Sequence, residues 1–521
     1  MLLLAVPQTA PDTVVAPDTV VVCPDVFRPA LGTWVRHRTE QGHEIAIVSA
    51  AGSAEDIRRS IRSLAKGGHL KFVLLVGDAE PGMENDSRLR IRCVPVHRAK
   101  ARINVLWGSE PHIATDNWYA DLDDDQIPDL AIGRLTPDSP AELAVMVKKI
   151  ISYERSSDFG HWRGRLNFVA GVGGFGPFAD KVLESAAKYF LTRGVPAAYN
   201  VSMTYGSWRS PYCPDPRLFA ATTLARLNEG SWFWVYIGHG RPDSLDRVRV
   251  PGGSYHILDN RDMAKLDCRH SAPIGLFLSC YAGAIDGRVD CLAEQMLRTS
   301  GGPVAVIAGS RVTLPYAMTV LATGLMDECF QQRRATLGEA MLGAKRRMMQ
   351  KPADGDQQRA LLDAIAAAIS PAPKQLAAER AEHLLLFNLI GDPLLRLRHP
   401  KKAELTLPAS AVAGEELTFS GVSPIAGRCT IELVVRRDRF TFSPKTRHQY
   451  TPDSTALSEF QKVYDKANDR RLARLELDVK AGRFDGTLKV PQNSAGECHV
   501  RVLIEGQDDF ALAAAVVKIE K

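Results

Sequence analysis

Apolar segments alternate with amphipathic segments along the first 400 residues of the chain. Up to residue 155, the apolar runs predict buried strands and the segments between them predict amphipathic helices. The predicted order is strand 19–23, helix 28–41, strand 44–49, helix 53–66, strand 71–77, a loop over 78–112 and helix 138–154. Strands that are apolar on both faces and alternate with helices are typical of a parallel sheet with helices on both faces.

A second series of the same kind occupies residues 156–400. Its predicted elements are strand 166–171, helix 178–192, strand 197–203, helix 216–228, strand 232–238, a loop to 272, strand 273–280, helix 290–299, strand 303–309, helices 314–331, 336–349 and 358–382, and strand 384–390. The pattern therefore predicts an α/β fold with two α/β subdomains, 19–155 and 156–400, after a leader of residues 1–18.

The pattern changes after residue 400. Short runs of alternating apolar and polar residues, separated by Gly, Pro, Asn and Asp, are typical of a β-sandwich, and we expect one over 401–521. Within it, four residues recur at helical spacing: Leu457, Phe460, Tyr464 and Ala467. This spacing predicts an inserted helix near 455–475.

The composition narrows the class of protein. With 521 residues, 45% hydrophobic and 24% charged, the chain is long enough for two to four domains and has the balance of a soluble globular protein. A net charge of +5, from 65 basic and 60 acidic residues, is too small to favour nucleic-acid binding. No apolar run approaches the roughly 18 residues of a membrane-spanning helix, so we expect no integral membrane segment.

The sequence argues against a cysteine-based scaffold or metal motif and against a dinucleotide-binding loop. The nine cysteines are too sparse for a disulfide scaffold, and none forms a CxxC motif. The glycine-rich segment 171–176 has the GxGxxG spacing of a dinucleotide-binding loop, but that motif also needs an acidic residue about 20 positions on. No Asp or Glu occurs between Glu184 and Asp215. We interpret the segment as a tight turn and expect no required cofactor.

Two predicted strands end in residues with catalytic chemistry. His239 follows the apolar run 232–237 and lies between two glycines, and Cys280 follows the run 274–278. Sites in open parallel sheets gather at the carboxyl ends of strands, so both side chains face one cleft if these strands are neighbours. An imidazole beside a thiol activates it as a nucleophile. Singly, a turn histidine and a buried thiol are the simpler interpretations; jointly, their placement favours a site.

These residues belong to a longer set of segments that resembles a known family. GHG after an apolar strand, with a cysteine ending the next strand 41 residues on, resembles the His/Cys dyad of caspase-type (clan CD) cysteine peptidases. Further segments resemble the gingipain branch, peptidase family C25: VLLVGDAE (73–80), TDNWYADLDDDQIPDLAIGR (115–134), YIGHGRPDSL (236–245), LFLSCYAGAID (276–286), CLAEQML with GGPVAVIAGSR (291–311) and FNLIGDPLLRL (387–397). The resemblance spans about residues 19–398. It implies a caspase/gingipain-like sheet followed by an immunoglobulin-like β-sandwich.

The resemblance also implies a cysteine endopeptidase that forms an acyl-enzyme. Cys280 would be the nucleophile, His239 would protonate the leaving amine, and the N–H groups of Gly240 and Cys280 would form the oxyanion hole. Gingipains have an upstream carboxylate that orients the histidine, and Asp116 lies in about the corresponding stretch; capping of the following turn is the alternative role. The implied partners are protein or peptide substrates, and the family favours a secreted or cell-envelope location.

The acidic segment 121–129 has two interpretations besides a solvated loop. Carboxylates at alternate positions suit calcium, which gingipains bind, and four residues are the candidate ligands: Asp121, Asp123, Asp125 and Asp129. In arginine-directed gingipains an aspartate of this segment lies at the base of the S1 pocket, and Asp125 aligns with it. A carboxylate there implies a preference for Arg or Lys at P1.

Two classes of function remain. One is the cysteine endopeptidase, with calcium as a structural ion at most. The alternative is a non-catalytic binding or adhesion protein on a gingipain-like scaffold. The presence of both His239 and Cys280 favours the peptidase.

Overall fold

The structure is a computed structural model that describes residues 16–83, 85–171, 194–352, 357–370 and 372–521. The helix predicted over 178–192, most of the glycine-rich turn 171–176 and most of the predicted leader lie outside these described residues.

Strands and helices alternate through the described part of residues 16–400. The strands there are β1 Thr19–Cys23, β2 Ile45–Ser49, β3 Phe72–Val76, β4 His97–Lys100, β5 His112–Thr115, β6 Ala131–Leu135, β7 Arg165–Ala170, β8 Asn200–Tyr205, β9 Phe233–Ile237, β10 Arg247–Val250, β11 Gly253–His256, β12 Ile274–Leu278, β13 Ala305–Gly309 and β14 Phe387–Ile390. The α-helices are α1 Arg28–Glu40, α2 Ala54–Ala65, α3 Ser87–Arg90, α4 Asn117–Ala120, α5 Pro140–Arg155, α6 Phe219–Asn228, α7 Leu292–Arg298, α8 Pro315–Phe330, α9 Leu337–Met349, α10 Gln357–Ile369 and α11 Leu376–Leu386. Short 3₁₀ helices lie at Asp25–Phe27, Asn104–Trp107, His161–Gly164, Pro216–Leu218, Asn260–Lys265 and Pro373–Gln375.

Helix starts coincide with capping residues in the sequence. Ser53 accepts the backbone N–H of Asp56, whose carboxylate accepts the N–H of Ser53 in return, so α2 begins with a capping box. Thr336 and Glu339 form the same arrangement at the start of α9. These local signals explain why both helices begin within one residue of their predicted positions.

Ten of the strands form one sheet, in the order β2-β1-β3-β6-β14-β13-β12-β9-β7-β8. Every neighbouring pair is parallel except β13 and β14, which are antiparallel. The two predicted series therefore contribute two parallel halves to one continuous sheet, with β14 returning to lie beside β6. Because the halves run in opposite directions, the carboxyl ends of β9, β12 and β13 share an edge with the amino ends of β6 and β14.

Two hairpins lie where the sequence predicts loops. β4 pairs with β5 inside 78–112, and β10 pairs with β11 inside the stretch before residue 273. β4 reads HRAK, with alternately exposed side chains, so no apolar run marks it as a strand. The strand predicted over 384–390 is also shorter than expected, because α11 continues to Leu386.

A buried ion-pair network ties α1 to the end of β14. Arg38 lies 2.9 Å from Glu154 and 2.6 Å from Asp392, and all three side chains are buried. Trp34 Nε1 also donates to Asp392. The Gly-Asp-Pro segment after β14 thus has a structural role, since Asp392 satisfies a guanidinium that would otherwise be buried without a partner.

The residues after 400 form two further sheets. Their strands are β15 Lys401–Lys402, β16 Glu404–Thr406, β17 Ser410–Val412, β18 Glu416–Ser423, β19 Gly427–Val435, β20 Arg471–Val479, β21 Gly482–Lys489, β22 Gly496–Glu505 and β23 Phe510–Glu520. One sheet has the order β15-β23-β22-β19-β20, with β17 also paired to β23, and the other has the order β16-β18-β21. A separate apolar cluster lies between them. Helix α12, Ser454–Asn468, buries Leu457, Phe460, Tyr464 and Ala467.

The C-terminal region covers the edge strand β8. The side-chain amide of Asn468 accepts the N–H of Met203 at 2.8 Å and donates to its carbonyl at 3.0 Å, as a neighbouring strand would. Arg437 donates to the carbonyls of Val195, Pro196 and Tyr199. These contacts satisfy the edge of the sheet and protect it from pairing with another chain. Among the described residues, no helix is long and apolar enough to cross a membrane.

Candidate active site

His239 and Cys280 come together because β9 and β12 are neighbours. The strands are paired in parallel register up to Ile237 and Leu278, and the N–H of Gly238 donates to the carbonyl of Leu278 at 3.2 Å. His239 and Cys280 therefore leave the sheet side by side at its carboxyl edge, where sites in parallel sheets form. His239 is exposed and Cys280 is partly exposed.

Cys280 differs from every other cysteine of the chain. All nine cysteines lie in described residues, and the other eight are buried. Burial raises the pKa of each of those eight thiols, which keeps them protonated and unreactive. Cys280 is thus the one thiol that solvent and a substrate can reach.

Two hydrogen bonds to its carbonyl oxygen hold the backbone of His239 in place. Its carbonyl accepts the hydroxyl of buried Tyr236 at 2.8 Å and the N–H of Asp246 at 3.1 Å. The preceding Gly238 has φ +156°, and a Cβ there would lie 2.7 Å from the Tyr236 hydroxyl. The glycine therefore allows the chain to turn directly over the tyrosine, so that the imidazole projects from a fixed point.

Gly240 packs against the backbone of Cys280. A Cβ at Gly240 would lie 2.6 Å from the Cys280 carbonyl oxygen, so only glycine fits. The bridge between Gly240 and Leu245 is made by the N–H of Arg241 to Ser244 and by the N–H of Asp246 to His239. This pattern leaves the Gly240 N–H outside the bridge, beside the thiol-bearing segment.

Thr313 contacts the thiol directly and was not among the predicted site residues. Its backbone N lies 3.3 Å from Cys280 Sγ, and its hydroxyl oxygen lies 3.7 Å from the same atom. Thr313 follows β13, the neighbour of β12. The sequence signal that could have identified Thr313 is its type and place: it is a polar residue that comes just after β13, and β13 pairs with the strand that precedes Cys280.

A buried histidine fixes the segment that contains Thr313. The Nε2 atom of His383 accepts the N–H of Leu314 at 2.6 Å, and Nδ1 donates to the carbonyl of Glu379 at 2.7 Å. Burial lowers the pKa of His383 to about 4, so the ring is neutral and acts as an acceptor at neutral pH. Helix α11 thereby positions the start of α8 against the thiol.

The segment after Cys280 is fixed by an ion pair. Arg311 donates two hydrogen bonds to Asp286, at 2.8 and 2.6 Å, and its carbonyl accepts the N–H of Tyr281 at 3.2 Å. Tyr281 has φ +59°, a conformation that is uncommon for a residue with a large side chain. The bidentate pair holds this unfavourable turn next to the thiol.

The structure places Asp116 with Arg134 rather than at the histidine. Both carboxylate oxygens accept from Arg134, at 2.8 and 2.6 Å, and the N–H of Asp116 donates to Asn388 of β14. β14 is three strands away from β9, a lateral distance of about 14 Å at the usual strand spacing. Asp116 is thus a buried ion-pair partner of Arg134, and its role as histidine orienter stays a prediction. Asp116 also precedes α4, but its side chain makes no capping bond there.

The acidic segment gathers three of its four candidate calcium ligands. Asp121, Asp123 and Asp129 have carboxylate oxygens within 4.8 Å of one another. Asp125 instead accepts the N–H of Ile127 at 2.7 Å and is exposed. Both oxygens of Asp121 already accept backbone N–H groups, and Arg58 Nη2 lies 3.5 Å from it. Three of the four carboxylates are thus gathered with a guanidinium beside them, and calcium binding by this segment stays a prediction.

The loop that carries Asp125 nevertheless lies at the catalytic edge of the sheet. It precedes β6, whose amino end shares the edge with the carboxyl end of β12, three strands away. The lateral separation is about 14 Å at the usual strand spacing.

Comparison with known proteins identifies the family. Residues 12–398 match the family described as peptidase family C25. The chain belongs to that family. Gingipain R2 of Porphyromonas gingivalis strain W83 is 23% identical over 419 residues, which are 76% of this chain and 48% of that protein. Lys-gingipain of strain ATCC 33277 is 22% identical over 303 residues, 56% of this chain and 15% of that protein. The chain spans about half or less of the length of these relatives.

The fold is shared with solved gingipain structures. The Arg-specific cysteine proteinase gingipain R superposes with a TM-score of 0.53 at 17% identity, covering 97% of this chain and 98% of that one. The complex of Porphyromonas gingivalis RgpB pro- and mature domains gives a TM-score of 0.53, with 96% of this chain and 100% of that chain covered. The large, mostly parallel sheet flanked by helices is thus the gingipain fold.

Proposed function

We propose that this protein is a cysteine endopeptidase that uses Cys280 and His239. The observation that supports the proposal most is the register of β9 and β12, because His239 and the one accessible thiol of the chain each lie two residues after the end of these neighbouring strands. Membership of peptidase family C25 supports the same reaction class.

The reaction follows from the positions of these groups. His239 takes the thiol proton of Cys280 as Sγ attacks the scissile carbonyl carbon; a C–S bond forms and the carbonyl oxygen becomes an oxyanion. The N–H groups of Gly240 and Cys280 donate to that oxyanion. His239 protonates the leaving amine as the C–N bond breaks. A water molecule, deprotonated by His239, then attacks the acyl group, and the C–S bond breaks to release the acid and restore the thiol.

Asp125 supplies a proposed preference for a basic P1 residue. Its carboxylate is exposed on a loop at the catalytic edge, and an aspartate can pair bidentately with a substrate guanidinium. The named specificities of the relatives, Arg for gingipain R and Lys for Lys-gingipain, support a basic residue. Asp125→Asn is expected to reduce cleavage after Arg relative to cleavage after Leu.

Fluorogenic peptides that differ only at P1 (Arg, Lys, Asp, Asn, Leu) test the proposal, under reductant and with and without calcium. Cleavage by the wild type and its loss in Cys280→Ala are the expected results. Cys498→Ala, a buried cysteine of β22 in the C-terminal region, is the matched control and should retain activity. Equal activity in Cys280→Ala would overturn the proposal.

A further inference from the structure

The hairpin β4–β5 lies across the end of β13, close to the thiol. Ser310 Oγ donates to the carbonyl of Ala114 at 2.7 Å, and Arg311 Nε donates to the carbonyl of His112 at 3.0 Å. Both donors directly follow β13, three and two residues before Thr313. The loop of the hairpin, residues 101–111, is therefore carried to the catalytic edge.

The segment 104–110 of this loop is here called the hairpin tip. It makes hydrogen bonds to the two segments that flank Cys280. Asn104 Nδ2 donates to the carbonyl of Val312, the residue before Thr313. At the other end, Glu110 accepts the hydroxyl of Tyr281 at 2.9 Å. Thr313 and Tyr281 flank the thiol, so the hairpin tip runs beside it from one flank to the other.

The hairpin tip is also anchored from behind. The buried carboxylate of Glu382 accepts the N–H groups of Ile103 and Asn104 at 2.8 and 2.9 Å. These bonds satisfy the free N–H groups at the start of the 3₁₀ helix Asn104–Trp107. The start of the tip is therefore held in place by the buried carboxylate.

Two large apolar side chains are exposed on the hairpin tip. Leu106 is 62% exposed and Trp107 is 38% exposed. An exposed tryptophan and leucine at adjacent positions, on a segment anchored to the residues that flank the nucleophile, leave apolar area in water that a ligand can cover. Two side chains offer far less than the roughly 1,000 Å² that a stable protein interface needs. Their area matches one or two side chains of a bound peptide.

We infer that the hairpin tip is a substrate subsite that binds an apolar side chain within about three residues of the scissile bond. The inference rests on the proposed peptidase function. A peptide that passes Cys280 in extended form advances about 3.3 Å per residue, so only such nearby positions reach the tip. Leu106 and Trp107 then select substrates by burying an apolar side chain, independently of the P1 preference.

The test compares two fluorogenic peptides with the same P1 residue. In one, the other positions within three residues of the scissile bond are leucine; in the other they are serine. Burial of one apolar side chain predicts that the wild type favours the leucine peptide at least about fivefold in kcat/KM. The double variant Leu106→Ser/Trp107→Ser is expected to bring the ratio close to one, through a higher KM for the leucine peptide.

Val516→Ser is the matched control, because Val516 is an exposed apolar residue of β23 in the C-terminal region. It should keep the wild-type ratio, and thermal melting should show that all variants fold. Cleavage of both peptides with no preference, or an undiminished preference in the double variant, would overturn the subsite alone. Failure of the wild type to cleave either peptide would count against the proposed function and the subsite together.

Discussion

The backbone N–H of Thr313 points at the sulfur of Cys280 from 3.3 Å, and the hydroxyl of the same residue lies 3.7 Å from that sulfur. Both groups are donors, so each can hydrogen-bond to the sulfur. The methyl group of Thr313 packs over Gly309, where a Cβ would lie 2.7 Å from it. This contact holds the side chain with its hydroxyl oxygen 3.7 Å from the sulfur.

Thr313→Val removes the hydroxyl and keeps the backbone N–H, the methyl groups and the volume. One hydrogen bond contributes about 0.5–1.5 kcal/mol, so we expect the alkylation rate of Cys280 by iodoacetamide at pH 7 to fall about two- to tenfold. Thr313→Ser should retain most of the rate. Equal rates in Val and wild type would show that the hydroxyl does not assist the thiol.

Asp116→Asn tests the ion-pair role of this carboxylate. Removal of its charge leaves the fully buried Arg134 guanidinium without a counter-charge, which should lower the free energy of unfolding by about 3 kcal/mol. Urea unfolding measures this loss, and the double variant Asp116→Asn/Arg134→Met should recover part of it. Since Asp116 lies away from His239, the pH–rate profile should keep its shape. A changed profile in a variant of wild-type stability would support the histidine-orienting role.

His383 makes stability depend on pH in the acidic range. Burial lowers its pKa from 6.5 to about 4, so the unfolded chain binds more protons between these values. The contribution is present above pH 6.5 and is lost as the pH falls towards 4, by up to about 3 kcal/mol. In His383→Gln, which keeps an acceptor for Leu314 but does not titrate, the fall in unfolding free energy between pH 6.5 and 4 should be smaller. An unchanged slope would contradict the assignment.

Lys149 makes stability depend on pH in a second window, at alkaline pH. Its ammonium donates to the carbonyls of Leu297 and Thr299 at the end of α7, and burial lowers its pKa from 10.5 to about 7. The unfolded chain then binds more protons between pH 7 and 10.5, so stability rises with pH across that range. In Lys149→Met, the free energy of unfolding should rise less between pH 7 and 10.5 than in the wild type, as measured by denaturant unfolding of both proteins at each pH. Parallel curves for the two proteins would show that Lys149 stays charged when buried.

The sequence predicted the strands that carry His239 and Cys280, because both are apolar runs of ordinary strand length and end in polar residues. It did not predict that β14 inserts beside β6, since pairing order depends on contacts between residues far apart in the chain. The hairpin β4–β5 was missed because HRAK has no apolar run, and with it the hairpin tip. Thr313 was missed for a related reason: only the pairing of β12 with β13 brings it to the thiol.

Asp116 shows that the position of a residue in a segment resembling a known family does not by itself determine its role. Its position before α4 agrees with an upstream carboxylate, but the residue that decides its role is Arg134, on β6. A buried guanidinium requires a counter-charge wherever it is placed, and no local pattern in the sequence pairs these two residues. The same holds for the acidic segment, where Arg58 of α2 approaches the carboxylates from outside the segment.

The most direct measurement is a search for the acyl-enzyme. A peptide ester of the preferred P1 residue is mixed with the protein, the reaction is quenched in acid, and the fragments are analysed by mass spectrometry. The account predicts one acyl adduct, on the fragment that contains Cys280, with slower release in His239→Gln and no adduct in Cys280→Ala. Turnover without an adduct at Cys280, or an adduct on another cysteine, would contradict it.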